Sequence, residues 1–433
     1  MVKIFLGPSL TGLFSRLSPA TIAVIGDFML DTYTVGKAKR ISPEAPVAIV
    51  NVCSEEHRAG GAGNVVLNLL SMDATVIAIG RVGNDAAGEL VQGIFAKEGI
   101  STNGFFIQSG YQTPVKNRII AENQQIVRID HEMNLPICEM LEQKVIDSLP
   151  QLLSNVNVIA ISDYDKGFLS RTLLAAIMEY AKAKGIVVIT DPKGLDFTKY
   201  SGTTIIKPNL SEVYAAANLS REAPLEKAAA HVLAAADAEI VMVTRSEAGI
   251  SLFYPEFEQH DFPVRIHEIK DVTGAGDTVL AMLARALASG LNAKEAAPLC
   301  NVAASIAIER FGCARVTLSD LAGKMLELDR GNKVFDHEHI FALQQLLKGK
   351  RPIALELQEC SELTTATYQT ILQHSGQPER PLLIYVAAGS TSSELISIFK
   401  ELRAVDFILV GDFGFESLCQ TLGIEEAYAA TSS

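Results

Sequence analysis

Residues 271–277 read Asp-Val-Thr-Gly-Ala-Gly-Asp and run directly into an apolar stretch at helical spacing: Val279, Leu280, Met282, Leu283 and Leu287. Gly274 and Gly276 let the backbone turn tightly and leave its N–H groups unobstructed. A helix that starts here aims those N–H groups, and the positive end of its dipole, at any anion above it. Asp277 lies inside that anion site, where electrostatics disfavours an acid without a task. A carboxylate beside a bound phosphate suits a base that deprotonates a hydroxyl attacking phosphorus. The plainer alternative is a helix start with a glycine turn and a first-turn acid, since short glycine motifs recur by chance.

Other groups sit where ligands could meet them. Asp27 and Asp31 follow the first apolar run, and a carboxylate there can accept two sugar hydroxyls; a turn or cap Asp is the alternative. In Arg40-Ile-Ser-Pro-Glu-Ala-Pro46 two prolines fix the backbone and present Arg40 and Glu44 rigidly. Arg is a natural fork for phosphate. Gly60, Gly61 and Asn64 precede a helical pattern, the glycines allowing close approach and Asn64 offering donor and acceptor. Lys116, Arg118 and Arg128 add positive charge. Asn209 and Glu212 read either as ligands of a hydrated Mg²⁺ or as a capping box. Thr244-Arg245 through Gly249 suits nucleotide phosphate or ribose, and Asn301, on a small-residue helix, suits a place beside adenine.

The elements that must position these groups follow from the pattern. Apolar runs at Ile22–Ile25, Ala74–Ile79, Val156–Ile161, Val187–Thr190, Thr204–Ile206 and Ile240–Thr244 read as strands. Helical patterns lie between them at Asn64–Leu70, Ala86–Lys97, Arg171–Lys184, Ser211–Ala217 and Pro224–Ala236. This alternation predicts an α/β fold with a mostly parallel sheet and helices on both faces. Such sheets bind ligands at the carboxyl ends of their strands. Residues 31–53 and 112–131, the latter an alternating hairpin around Glu122-Asn123-Gln124, predict a small β lid. Phosphoryl transfer needs such a cover to exclude water. After Thr317 the character shifts, which places a first domain at 1–332 and a small α/β tail at 333–433.

Composition narrows the class. The chain has 433 residues, 48% hydrophobic and 20% charged, as in a soluble globular protein. A net charge of −13 argues against nucleic acid and anionic membrane as partners. The six cysteines (Cys53, Cys138, Cys300, Cys313, Cys360, Cys419) show no metal spacing and read as buried, reduced thiols of a cytoplasmic protein. The N-terminal run is broken by Gly7 and Pro8, unlike a signal peptide. Neither a G-x-x-x-x-G-K-[ST] loop nor a protein-kinase signature is present.

Taken in order, Gly60-Gly61…Asn64, Lys207-Pro-Asn209…Glu212, Thr244…Gly249 and Asp271–Asp277 resemble the signatures of the ribokinase-like (PfkB) sugar kinases, over residues 20–318. Gly26–Asp31, Arg40–Pro46, Asn123–Arg128 and Ser162–Gly167 look like the narrower group of D-glycero-β-D-manno-heptose-7-phosphate kinases of lipopolysaccharide core synthesis. The resemblance implies a three-layer sandwich and ATP-dependent phosphorylation of the sugar's C1 hydroxyl. It implies Asp277 as base, with Gly274, Ala275 and Gly276 as anion hole. Asp31, Gly60, Gly61 and Asn64 then hold sugar hydroxyls, and Arg40 with Lys116 or Arg118 meets the 7-phosphate. Asn209 and Glu212 organise Mg²⁺, and Thr244, Arg245, Gly249, Thr273 and Asn301 line the ATP site. The family often uses a monovalent cation such as K⁺ near a loop like Asp271–Thr273, and commonly forms a homodimer through the lids.

There are departures. Thr34 stands where the group has Trp, and Ile308-Glu-Arg-Phe-Gly312 replaces a Val-Gly-Lys-Leu-Gly stretch; neither removes a catalytic group. Many relatives end in a nucleotidyltransferase domain carrying His-x-Gly-His. This tail has only His337, His339 and His374, outside such a motif, although residues 381–386 and 399–409 resemble later parts of that domain. The tail therefore reads as a shortened relic without transferase activity. Two alternatives stay open: a kinase for another sugar or sugar phosphate, such as ribose or a fructose phosphate, and a non-catalytic sugar-phosphate sensor or scaffold.

Overall fold

The structure, a computed structural model, describes residues 9–122, 124–255, 258–264, 269–328, 333–358, 362–375 and 379–431. Asn123 of the expected hairpin turn, Gly7 and Pro8 of the N-terminal run, and Cys360 lie outside the described residues.

Short apolar runs become the strands of a sheet covered on both faces, except the polar edge strand Gln259–Phe262. Its members are β1 (Thr21–Gly26), β4 (Thr75–Val82), β5 (Phe105–Ile107), β8 (Val158–Ser162), β9 (Val187–Asp191), β10 (Ile205–Ile206), β11 (Ile240–Thr244), β12 (Ile250–Phe253) and β13 (Gln259–Phe262). Their order is β13-β12-β11-β10-β9-β8-β1-β4-β5. Pairing is parallel from β11 to β5, and β12 and β13 close one edge antiparallel. Helices Ala62–Ser71 and Ala275–Ala288 pack on one face. On the other, helices Glu139–Leu152, Arg171–Lys184 and Leu225–Ala236 bury Leu141, Leu173, Ile177 and Val232 against Ala23, Ile25, Ile159 and Ile161.

The two segments expected as a lid form a separate four-stranded sheet. It consists of β2 (Phe28–Ile41), β3 (Ala48–Gly61), β6 (Val115–Ala121) and β7 (Gln124–His131), in the order β3-β2-β6-β7. Both connections to the body leave the same end of the β2–β3 pair, where Phe28 faces Gly61: β2 leaves β1 through Asp27, and β3 runs into the helix at Ala62.

The chain divides into two compact units, Ser18–Val316 and Met1–Leu17 with Thr317–Ser433. The sequence reading draws its line at 332/333. The contacts draw it earlier because helix Leu318–Leu328 packs on helix Ile340–Leu347, and helix Leu10–Ser15 joins both, with Phe14 and Phe341 rings 5.1 Å apart. This second unit holds an all-parallel sheet of β14 (Val334–Phe335), β15 (Ile353–Gln358), β16 (Leu382–Val386), β17 (Phe407–Val410) and β18 (Glu426–Thr431), in the order β14-β17-β16-β15-β18. Leu355, Ile384, Ile408 and Phe399 centre its core.

Among the described cysteines, Cys300, Cys313 and Cys419 are buried as expected, whereas Cys53 and Cys138 are exposed. Cys53 sits on the lid strand β3, whose residues there have nothing packed outside them. No described helix is long and apolar enough to cross a membrane.

Candidate functional site

The site forms at the carboxyl ends of β1, β8, β9, β10 and β11, where strand-to-helix turns expose polar groups. Gly274 caps the helix Ala275–Ala288 in the left-handed region, with φ +79°. A Cβ here would lie 2.6 Å from Asn64 Nδ2 and 3.3 Å from Cys313 Sγ. The first intrahelical bond runs from Thr278 N–H to Gly274 C=O, at 3.0 Å. The N–H groups of Gly276 and Asp277 therefore belong to the unpaired first turn. Gly274→Ala is expected to cost about 1–3 kcal/mol of stability, from backbone strain and the clash with Asn64. A thermal-unfolding shift, with lost turnover, checks it; a variant as stable and active as the parent contradicts it.

Asp277 is 4% exposed. Its Oδ1 accepts the Tyr164 hydroxyl at 2.6 Å and its Oδ2 accepts Asn64 Nδ2 at 2.9 Å. Asn64 is itself fixed by Asn68, whose amide donates to Asn64 Oδ1 at 3.2 Å and to its carbonyl at 3.0 Å. Burial raises the Asp277 carboxyl above its ordinary value; Tyr164, Asn64 and Lys207 hold it back, and Asp31 adds to the rise. A base must be ionised to accept a proton. Turnover is therefore expected to fall with decreasing pH on a limb that lies above the ordinary carboxylate range near 4. A pH–rate profile flat down to pH 4 contradicts this.

Lys207, 2% exposed, follows β10 and pairs with Asp191 Oδ2 at 3.0 Å. Its ammonium approaches the helix start, 3.8 Å from where a Gly276 Cβ would be. Burial pushes Asp191 up to about 7; Lys207 opposes the rise, and Glu212 and Asp277 add to it. Cationic charge thus stands beside the unpaired N–H groups, with carboxylates behind it.

Asp31, on β2, is 3% exposed; its Oδ1 accepts Arg118 Nη1 at 2.6 Å, and its Oδ2 lies 3.6 Å from Cys313 Sγ. Gly60, opposite Met29 in register, has no room for a side chain: its Cβ would meet Asp31 Oδ2 at 2.3 Å. Register places Arg58, Asp31 and Lys116 side by side across three lid strands, and Glu56, Tyr33 and Arg118 in the next row. Two guanidinium groups approach the Tyr33 ring, Arg58 at 4.9 Å and Arg118 at 5.3 Å from its centre. This lid face bounds a cavity of about 850 Å³, lined also by Asp271, Thr273 and Gly312.

A second cavity, of about 440 Å³, abuts the helix start on its other side. Asn209, Thr244, Gly249, Gly276 and Asn301 line it, with apolar Ile250, Val264, Val272, Val279 and Ile308. A backbone bridge joins Asn209 to Thr244. Asn301 Nδ2 donates to the Phe262 carbonyl at 2.8 Å, tying the helix to the sheet edge. Asn209 and Glu212 form a complete capping box, and Glu212 Oε1 accepts Lys193 Nζ at 2.7 Å. Both Asp271 oxygens accept hydrogen bonds: Oδ1 from Thr273 within its own turn, and Oδ2 from the Gly312 N–H.

The structure thus brings Asp31, Gly60, Gly61, Asn64, Lys116, Arg118, Gly274, Ala275, Gly276 and Asp277 to one region, and Asn209, Thr244, Gly249 and Asn301 to the adjoining cavity. Three residues fall elsewhere. Arg40 is exposed near the far end of β2, opposite Ile49, nine residues and about 30 Å of strand beyond Asp31. Arg245 turns toward Asp261, 3.5 Å away. Thr273 lines the lid-side cavity rather than the one with Thr244. Sequence reasoning gave no role to Tyr164, Lys207, Asp191, Arg58 or Cys313 individually. Arg58 shares a face with Asp31 only through strand register, and Lys207 was visible only as the neighbour of Pro208.

A family profile described as pfkB family carbohydrate kinase matches residues 19–320. The bifunctional protein HldE of Geobacter metallireducens is 44% identical over 315 residues, 72% of this chain; the chain spans 64% of that protein's length. The bifunctional protein HldE of Pelobacter propionicus is 37% identical over 84% of this chain and 76% of its own length. That of Syntrophotalea carbinolica is 34% identical over 92% of this chain and 85% of its own, which carries the likeness into the second unit. Among solved structures, a ribokinase from Thermotoga maritima superposes with a TM-score of 0.57 at 21% identity, covering 71% of this chain and 99% of that one. Escherichia coli phosphofructokinase-2 in complex with potassium gives 0.60 at 19%, covering 72% and 99%. These two show that the fold is ribokinase-like.

Proposed function

The chain belongs to the pfkB family of carbohydrate kinases, and from that membership we propose that it uses Mg-ATP to phosphorylate D-glycero-D-manno-heptose 7-phosphate at C1, giving the heptose 1,7-bisphosphate. The observation that carries this reading is Asp277: a buried carboxylate in the first turn of a glycine-opened helix, under the electrostatic influence of Lys207, with its neighbours Ala275 and Gly276 lining a nucleotide-sized cavity. The heptose is supported by the Arg40–Pro46 motif and by the likeness to the HldE proteins.

In this mechanism ATP occupies the Thr244–Asn301 cavity with its terminal phosphate at the helix start. The sugar lies between Asp277 and the lid, with hydroxyls on Asp31 and Asn64. The C1 oxygen attacks the γ-phosphorus in line and forms the new P–O bond while the bond to ADP breaks. ADP leaves with that electron pair, and Asp277 takes the hydroxyl proton. The Gly276 and Asp277 N–H groups and Lys207 stabilise charge that develops on the transferring oxygens. The 7-phosphate meets Arg58, Lys116 and Arg118 on the lid face rather than Arg40.

The donors near the phosphate site fit Mg²⁺, being hard oxygens; Mg²⁺ keeps several waters, so few protein ligands suffice. Asn209 and Glu212, already joined in the capping box, would hold it through such waters. When bound, it neutralises charge on the triphosphate. Where a monovalent cation is used, the loop Asp271–Thr273 would hold it.

The second unit is read as a nucleotidyltransferase relic. His339 bonds Asp336 at 2.9 Å and His374 stacks on Tyr428 at 4.3 Å, so both are engaged in local structure. Adenylyl transfer by the full chain would overturn that part. A homodimer through the lids would cover exposed Ile41, Val47, Val52 and Ile126; a monomer by light scattering would overturn it. The chemistry and the reduced thiols suit the cytoplasm.

The reaction is tested by ³¹P NMR of the product from Mg-ATP and the heptose 7-phosphate. A second sugar-bound phosphorus coupled to the anomeric proton is expected. Phosphorylation at any other carbon contradicts the reading.

A further inference from the structure

Tyr164 touches the base directly and has no part in the scheme above. It follows β8 in the turn Ser162–Gly167, which is fastened from below. The Tyr164 and Lys166 N–H groups both donate to Asp27 Oδ2, at 2.9 and 3.1 Å, and the Asp165 N–H donates to Asp163 Oδ1 at 2.7 Å. Asp165 takes the left-handed conformation with φ +56°, which turns the chain back under this loop. Asp163 is in turn held by Lys199 and the Tyr200 hydroxyl, each at 2.7 Å. A loop tied at three backbone positions gives the Tyr164 ring little freedom. Its hydroxyl ends 2.6 Å from Asp277 Oδ1, while Lys116 Nζ sits 5.4 Å from its ring centre.

We propose that Tyr164 is a positioning residue for the transfer: its phenol holds the Asp277 carboxylate in one orientation toward the acceptor hydroxyl and stabilises its ionised form. This rests on the kinase reading for its role in turnover, and on geometry alone for the contact. With Tyr164 on Oδ1 and Asn64 on Oδ2, both oxygens are engaged and the carboxylate plane is fixed. Each oxygen keeps a second lone pair for a substrate hydroxyl. Burial and the facing carboxylate push the phenol well above its usual value, so it remains a donor throughout the working range.

The charged and titratable groups facing Asp277 come from several elements. They are Tyr164 after β8, Asp191 at the end of β9, Lys207 after β10, Asp31 on β2, and Cys313 in the turn after Gly312. Removing only the phenol oxygen leaves the others in place. A hydrogen bond to the ionised form favours that form, so its loss raises the proton affinity of the base.

The test is Tyr164→Phe in the full chain, with the Asp277 carboxyl followed by ¹³C NMR titration and assigned by its loss in Asp277→Asn. The midpoint is expected to rise by about one pH unit. Turnover is expected to fall on the order of tenfold or more, its acid limb moving up by the same interval, with KM for ATP unchanged. Coincident midpoints, or lost turnover with an unmoved limb, overturn the proposal. Should Tyr164→Phe not fold, fluorotyrosine at 164 gives the opposite sign: a more acidic phenol, a stronger bond and a lower midpoint. An unchanged midpoint there overturns it equally. The titration uses neither sugar nor nucleotide, so an inactive parent protein overturns the kinase reading and leaves this contact to be decided by NMR.

Discussion

Asp277→Asn is expected to lower kcat on the order of 10²–10⁴-fold while nucleotide affinity stays nearly unchanged. The amide keeps the size and can still accept from Tyr164 through its oxygen, while its NH₂ faces the Asn64 amide donor, so the shape of the pocket is kept at the loss of one hydrogen bond. What is lost is the carboxylate proposed to take the hydroxyl proton. Turnover by coupled ADP release and nucleotide binding by calorimetry separate the two effects. Loss of both together would make Asp277 a structural residue of the helix start.

Arg118→Met is expected to be the most disruptive single change in the lid, at about 3–5 kcal/mol. The side chains of Arg118 and Asp31 are 11% and 4% exposed, so the change leaves a buried carboxylate without its ion-pair partner, with Lys116 the nearby cation that remains. Asp31→Leu combined with Arg118→Met removes both charges and is expected to recover most of the stability without any sugar binding. Denaturant unfolding of the two single variants and the double variant gives the cycle. A double variant no more stable than Arg118→Met would show that the pair is not what holds the lid base.

Where local chemistry decides an element, the chain was legible. Helices Ala86–Lys97 and Arg171–Lys184 form over the residues their patterns predict, because Asp85 and Ser170 cap their starts and Gly185 closes the second in the left-handed conformation. The parallel strands β1, β8 and β9 stand out as β-branched runs for the same reason that they are buried on both faces. The antiparallel edge of β12 and β13 was missed, since four-residue strands with polar Gln259, His260 and Asp261 carry little periodic signal. The early boundary at 316/317 was invisible, because it depends on which helices share a core.

The site divides along the same line. Asp277 and Asn64 announce themselves through neighbouring glycines, which matter only where a backbone must come close, and Asp31 through its place just after the first apolar run. Tyr164 lies in the Ser162–Gly167 motif with nothing to show what its hydroxyl meets, and Lys207 is marked only by Pro208; Tyr164 bonds Asp277 across 113 residues, and Lys207 acts on it through the packing of separate strand ends. Arg40 shows the converse. Its flanking prolines stiffen the chain at the lid tip, and strand length then carries it away from the base.

The central claim is that this chain is a sugar-phosphate kinase with Asp277 as its base. It is met most directly by incubating the protein with Mg-ATP and a panel of sugar phosphates that includes D-glycero-D-manno-heptose 7-phosphate, and following ADP release. The account expects selective turnover of the heptose phosphate that disappears in Asp277→Asn. Binding of ATP with no turnover of any sugar would contradict it and favour a sensor or scaffold.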